Sequence, residues 1–162
     1  MKKKHTNTRT LVAYVTKSGV TRENASVIAS VLRDRYGLKV DVVDLKKTLS
    51  PNLTKYKNVI VGSGVRVQRV YKRAWKFLEK NDFKDKKVVL FLSSLEAGEP
   101  ESYDHAIKKY IQNILTKYLP VKPFAAEAFG GRMKILGFTI KDNRNVEKVK
   151  AWAEELGKKL GK

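Results

Sequence analysis

Thr10-Leu-Val-Ala-Tyr-Val-Thr-Lys-Ser-Gly-Val-Thr21 is the stretch from which the fold of this chain can be read. Its first half, Thr10 to Val15, is almost wholly β-branched, aliphatic and aromatic, the pattern of a short buried strand. From Ala25 the apolar residues Ala25, Ile28, Val31, Leu32 and Tyr36 recur at helical spacing, and Gly37 fits a helix C-terminal stop. Between strand and helix lie the hydroxyls of Thr16, Ser18 and Thr21 and the permissive backbone of Gly19. Free N–H groups at the helix start point back into this turn, so the three parts together form an anion cradle. A plainer reading has Thr21 capping the helix while Thr16 and Ser18 fill a turn.

The 162 residues suit one domain, large enough to bury a core and enclose a small ligand. Residues 1–9 are polar and basic without periodicity and read as a mobile start; residues 10–162 read as the single domain. No apolar run reaches the ~18 residues of a membrane-spanning helix, and Met1-Lys-Lys-Lys-His5 is not followed by a signal-peptide core. A cytoplasmic protein is the expectation. Without any cysteine there is no disulfide, thiolate nucleophile or cysteine-held metal, and two isolated histidines do not make a metal site. Redox chemistry would have to come from a bound organic cofactor. Lys and Arg number 35 against 16 Asp and Glu, a formal net charge of +19 that attracts polyanions. The cations are spread through every segment, so a dedicated nucleic-acid surface is the less favoured partner.

Taken in order, Leu38–Val43 is a second strand, with Asp41 and Asp44 near its end. Ser50-Pro51 is a good start for a single helical turn. Asn58-Val-Ile-Val-Gly62 reads as a strand buried on both faces, Ser63–Arg66 as a turn, and Val67–Lys80 as a helix. Lys87–Leu92 is the next buried strand, closed by Ser93-Ser94. Tyr103–Tyr118 is a strongly amphipathic helix ended by Pro120 and Pro123. Phe124–Phe129 is a strand whose internal Glu127 suits a sheet edge, and Val146–Leu160 is the last helix. The apolar but cation-flanked stretch Arg132–Lys141 is expected to fold against its own core; peripheral contact with an anionic membrane is the other reading.

Five strands alternating with helices predict an α/β fold with a parallel sheet of order 2-1-3-4-5, covered on both faces. Ligands in such sheets bind beyond the strand carboxyl ends where the order reverses, between the first and third strands. Three turns meet there, Thr16–Thr21, Ser63–Gln68 and Ser93–Glu99, all rich in small or hydroxyl residues. Their convergence favours the anion cradle over the plain turn.

Thr16-Lys-Ser-Gly-Val-Thr21 resembles the hydroxyl-rich loop with which the flavodoxin family holds the phosphate of FMN. Val61-Gly-Ser-Gly-Val-Arg66 is similar to the family's loop against the flavin ring, and Ser93-Ser-Leu-Glu96 falls where its second ring-contacting loop lies. The resemblance spans Thr10 to Leu160 and is narrowest to the flavodoxin-like domain of menaquinone-dependent protoporphyrinogen oxidases. It implies a flavodoxin-like three-layer sandwich and non-covalent FMN. Thr16, Ser18, Gly19 and Thr21 would hold the phosphate, with main-chain N–H groups of Lys17 and Val20. Ser63, Gly64, Val65 and Arg66 would border the ring, and Ser93, Ser94 and Leu95 would meet its pyrimidine side. Gly64 would let a peptide turn toward the flavin on reduction, and Arg66 near the pyrimidine would raise the reduction potential. The chain departs from the family in its basic charge and in lacking ring-stacking aromatics, with Val65, Arg66 and Leu95 in their place.

Other motifs are weaker. Gly62-Ser-Gly64 lacks the third glycine of a dinucleotide fingerprint, and no Walker-type Gly-Lys-Ser/Thr run exists. Thr16 and Ser63 stand where a phosphate-accepting receiver domain needs acids. Ser102, Asp104 and His105 are neighbours on one helix start and do not face one another. The favoured reading is an electron-transfer flavoprotein, either a carrier or a small FMN-dependent oxidoreductase, working with a redox partner protein or a quinone-like molecule. The alternative is a flavin-free module of the same shape whose basic surface binds nucleic acid or an acidic partner.

Overall fold

The computed structural model describes residues 8–161. Most of the expected mobile start therefore lies outside the described residues, but Arg9 already opens β1 (Arg9–Val15). Arg9 is ordered by Asp41, which lies 3.1 Å from its guanidinium on the neighbouring strand. Helix α1 (Val20–Tyr36), β2 (Lys39–Asp44) and β3 (Tyr56–Arg66) follow. Then come a two-residue strand β4 (Arg69–Val70), α2 (Lys72–Lys80) and β5 (Lys87–Ser93). Helix α3 covers residues 103–118 and is wound as a π-helix at Ile107–Leu115. β6 (Ala125–Phe129), the strands β7 (Arg132–Ile135) and β8 (Phe138–Asp142), and α4 (Val146–Leu160) complete the chain.

The main sheet runs β2-β1-β3-β5-β6, all parallel, with β4 attached antiparallel to the end of β3. This is the expected order. Because side chains alternate along a strand, Leu11, Ala13 and Val15 face one layer while Val12 and Tyr14 face the other. The first layer holds α2 and α3 through Ala74, Leu78, Tyr110 and Leu115; the second holds α1 and α4 through Ile28, Leu32, Val149 and Leu156. Val59, Ile60, Val89 and Leu90 are fully buried in the central strands, each side chain contributing about 1.5–3 kcal/mol by its removal from water. Glu127 sits in edge strand β6, where it accepts a short hydrogen bond from the Tyr103 hydroxyl and one of 2.8 Å from Ala128 N–H.

Four local expectations are corrected. No helical turn forms at Ser50-Pro51: the β2–β3 crossover is a loop, and Leu45 and Leu53 close the core there. Ser63–Arg66 is not a turn but the continuation of β3, which reverses only at Val67-Gln68. Both turn residues have positive φ, 48° and 56°, the backbone of a primed hairpin turn without the usual Asn-Gly signal. Helix α2 consequently begins at Lys72 instead of Val67. Arg132–Lys141 does not fold against the core; β7 and β8 pair only with each other, and their apolar side chains are exposed. Among the described residues, no helix is long and apolar enough to cross a membrane.

Candidate cofactor-binding site

The carboxyl ends of β1, β3 and β5 open into a cleft of about 790 Å³, within the range of small-molecule sites. The first loop contributes Thr16, Lys17, Ser18, Val20 and Thr21; the end of β3 contributes Gly64, Val65 and Arg66; Ser93, Ser94 and Leu95 supply the third side. Of the residues singled out from the sequence, Gly19 and Ser63 alone do not line it. Gly19 sits at the head of α1 with φ 88°, a conformation that strains any side-chain-bearing residue. Ser63 is fully buried beneath the cleft, donating 2.8 Å to Gly64 O and accepting 3.3 Å from Tyr71 N.

No side chain caps α1, so Thr21 is not spent as a helix cap. The Thr16 hydroxyl accepts 2.9 Å from Gly19 N–H and shapes the loop, while the Lys46 ammonium donates a short bond to Thr16 O from below. The first amides of a 17-residue helix are thus left toward the cleft, where partial positive charge accumulates. Opposite, Gly64 pairs with Ser93 in the ladder, and a Cβ there would lie 3.0 Å from the Tyr71 ring and 3.4 Å from Thr21 Oγ1. Asn24 Nδ2 donates 2.9 Å to Ser93 Oγ, tying α1 to the third loop.

Several cleft residues escaped the sequence reading. Tyr71, read there as part of a helical stripe, is a half-buried aromatic in the cleft wall with Lys17 5.7 Å above its ring. Burial pushes its phenol up, opposed by the charge of Arg66. Val67 and Gln68, the end of the second of the three turns expected to converge here, do line the cleft, whereas Gly131, Arg132, Met133, Lys134 and Ile135, at the start of the β7–β8 hairpin, were not expected in it. Arg132 donates 3.0 Å to Ser18 O, lies 3.8 Å from Glu23, and has a buried Nε with no partner. An orphaned guanidinium N–H beside an uncapped helix start is a donor set suited to an anionic ligand. Glu96 is the one carboxylate in the lining; hydrogen bonds from Tyr110 (2.6 Å) and then His105 (3.2 Å) hold it below the usual carboxylate range. The cation-flanked composition of Arg132–Lys141 was the signal that could have placed this segment at the site.

One residue positions both sides of the hairpin base. Asn143 Oδ1 accepts 2.9 Å from Gly131 N–H, and its Nδ2 donates 2.8 Å to Leu95 O and 3.0 Å to Glu99. Gly98 and Gly130 both pack against it: a Cβ would fall 2.2 Å from Asn143 Cγ and 2.0 Å from Asn143 O.

Comparison with known proteins agrees with this geometry. The flavodoxin domain family matches residues 11–158. Protoporphyrinogen IX dehydrogenase [quinone] of Escherichia coli (strain K12) is 26% identical over 109 residues, 66% of this chain and 60% of the relative. The chain thus matches about 60% of the length of that curated relative. Oxidised flavodoxin 1 from Bacillus cereus superposes with a TM-score of 0.60 at 21% identity, covering 93% of this chain and 98% of that one. Fusobacterium nucleatum flavodoxin bound to flavin mononucleotide gives 0.57 at 16% identity, covering 93% and 98%. With the strand order, the hydroxyl-rich loop and the family match in agreement, this chain belongs to the flavodoxin family, the FMN-binding electron-transfer fold that its first loop resembles.

Proposed function

We propose that this chain holds FMN without a covalent link and passes electrons between a redox partner protein and a small quinone-like molecule in the cytoplasm. The observation that carries the reading is the uncapped start of α1 opening into a cleft closed by three loops. Ser18, Thr21 and the amides of the first loop would take the phosphate, with the Arg132 guanidinium adding charge at its edge. Val65, Tyr71, Leu95 and Met133 offer the apolar surface a ring needs, so Tyr71 stands in for one of the stacking aromatics absent from the loops. Arg66 is exposed at the rim and would favour a negative charge on the reduced cofactor. The bound flavin would supply the one- and two-electron chemistry. Gly64, held in the strand ladder, offers less freedom for a peptide rearrangement than a loop glycine would. The name of the Escherichia coli relative supports a quinone as one redox partner and a porphyrinogen as a substrate to test.

Purified protein titrated with FMN tests the reading through quenching of flavin fluorescence. Thr21→Val keeps the buried shape and removes the hydroxyl, and Ser18→Ala does the same at the exposed end. Each is expected to weaken binding by about tenfold or more, as for a lost hydrogen bond to a charged group. Reduced holoprotein mixed with a water-soluble quinone should recover its oxidised absorbance. Wild-type protein that refuses FMN would end the proposal, and colourless protein binding DNA with steep salt dependence would favour the flavin-free alternative.

A further inference from the structure

The β7–β8 hairpin exposes apolar side chains that the fold does not use. Ile135, Leu136, Phe138 and Ile140 are 53%, 92%, 75% and 56% exposed. Leu136 occupies a turn position with φ 48°, before Gly137 at φ 81°, where primed turns favour Asn-Gly. A strained backbone thus holds a leucine in water, with no burial in return. Across the cleft the Val67-Gln68 turn repeats the arrangement: Val67 has φ 48° and is 83% exposed. Both hairpins contribute to the rim of the same cleft, with Lys17, Arg66 and Lys134 exposed on it and a formal net charge of +19 overall.

We propose that these two apolar tips and the cations around them seat the protein on an anionic lipid surface, cleft mouth toward the bilayer. Shallow insertion of a few apolar side chains combined with attraction of Lys and Arg to anionic headgroups is how peripheral proteins bind interfaces. A few side chains on protruding turns fall well short of the roughly 20–30 residues a side of a stable protein interface. A second copy would bring the same strong positive charge and repel. An acidic protein or nucleic acid would satisfy the cations and leave Leu136 and Phe138 unexplained. The inference goes beyond the cofactor reading and does not depend on it, because neither Leu136 nor Phe138 lines the cleft.

The test is flotation of the full chain, loaded with FMN, on vesicles of phosphatidylcholine with and without phosphatidylglycerol. Wild-type protein should float with the anionic vesicles at low salt and stay behind with the neutral ones. Leu136→Asn suits the turn, so it should keep or raise the melting temperature while lowering partitioning. Combined with Phe138→Ser it should cost about tenfold or more. Flavin absorbance per chain should be unchanged in both variants, which separates failure of this proposal from failure of FMN binding. Phe138→Trp should add a blue-shifted emission when anionic vesicles are present. The proposal is overturned by wild-type protein that ignores anionic vesicles, or by a double variant that floats as well as wild type, which would mean adhesion by charge alone. It is equally overturned by a wild-type dimer that the double variant dissolves, which would make a second copy the occupant.

Discussion

Replacing Asn143 by alanine should loosen the cleft without touching its lining. The substitution removes the acceptor for Gly131 N–H and the donor to Leu95 O, two bonds to backbone groups at 2.9 and 2.8 Å. Each is worth about 1 kcal/mol net. The bond to Glu99 adds less, because that carboxylate also pairs with Lys141 at 2.9 Å near solvent. The sum is about 2–3 kcal/mol, which for a domain of this size lowers Tm by about 5–10 °C. Gly98→Ala should cost about 2 kcal/mol by itself, since its Cβ would fall 2.2 Å from Asn143 Cγ and drive the amide off its partners. In the Asn143→Ala background the obstructing atoms are gone, and Gly98→Ala should cost less than about 0.5 kcal/mol. Thermal and urea melts of the four proteins read the coupling directly. FMN affinity should fall in Asn143→Ala, because Leu95 loses its tether. Strictly additive costs, or a single Asn143→Ala variant melting with wild type, would refute the clamp.

Gly62→Ala should be among the most damaging single changes, about 3 kcal/mol or more, because its Cβ would lie 2.0 Å from Phe91 Cζ at the sheet centre; Phe91→Leu should partly restore soluble yield. At alkaline pH the Tyr56–Asp41 contact should fail. Burial first, and then its 2.8 Å bond to Asp41, push the Tyr56 phenol up to about 12. The contact therefore contributes fully below pH about 10 and is lost between about 10 and 12, so the stability difference between wild type and Tyr56→Phe should shrink only in that window. At acid pH the hairpin base should loosen. Arg144, bonding through side chain and backbone, holds Asp142 at about 2. Its contribution is complete above pH about 4 and fades toward 2. The protection of Arg144 N–H, 3.1 Å from Asp142 Oδ1, against amide exchange should fall there relative to the intrinsic rate at each pH, and unchanged protection would count against the contact.

The layered fold was legible because parallel strands buried on both faces are continuous apolar runs, as at Val59–Val61 and Val88–Leu92, and helices such as α4 keep a clear apolar stripe. The first loop was legible for a local reason: hydroxyls, one glycine and a helix start lie together in sequence. The rest of the cleft depends on turn geometry that residue type does not announce. Val67-Gln68 and Leu136-Gly137 reverse the chain with non-glycine residues at positive φ, so one passed for a helix start and the other for core. Tyr71 reaches the cleft because the Val67-Gln68 reversal returns the chain through β4, and Arg132 because Gly130-Gly131 leads straight from the end of β6 into β7. Asn143 looked like one polar residue among several; its role rests on contacts with Gly131 and Leu95 that sequence spacing does not encode.

The backbone bond from Asn143 N–H to Gly131 O, 3.0 Å long, closes the stem of the β7–β8 excursion against the end of β6. Apart from Arg132 and Lys141, which reach Ser18 and Glu99, the excursion beyond that stem is a cassette of its own, with entry and exit fixed side by side and none of its strands woven into the main sheet. Its outer end can therefore be rewritten, residue by residue, to change what approaches the cleft while the packing that holds the three loops together goes undisturbed.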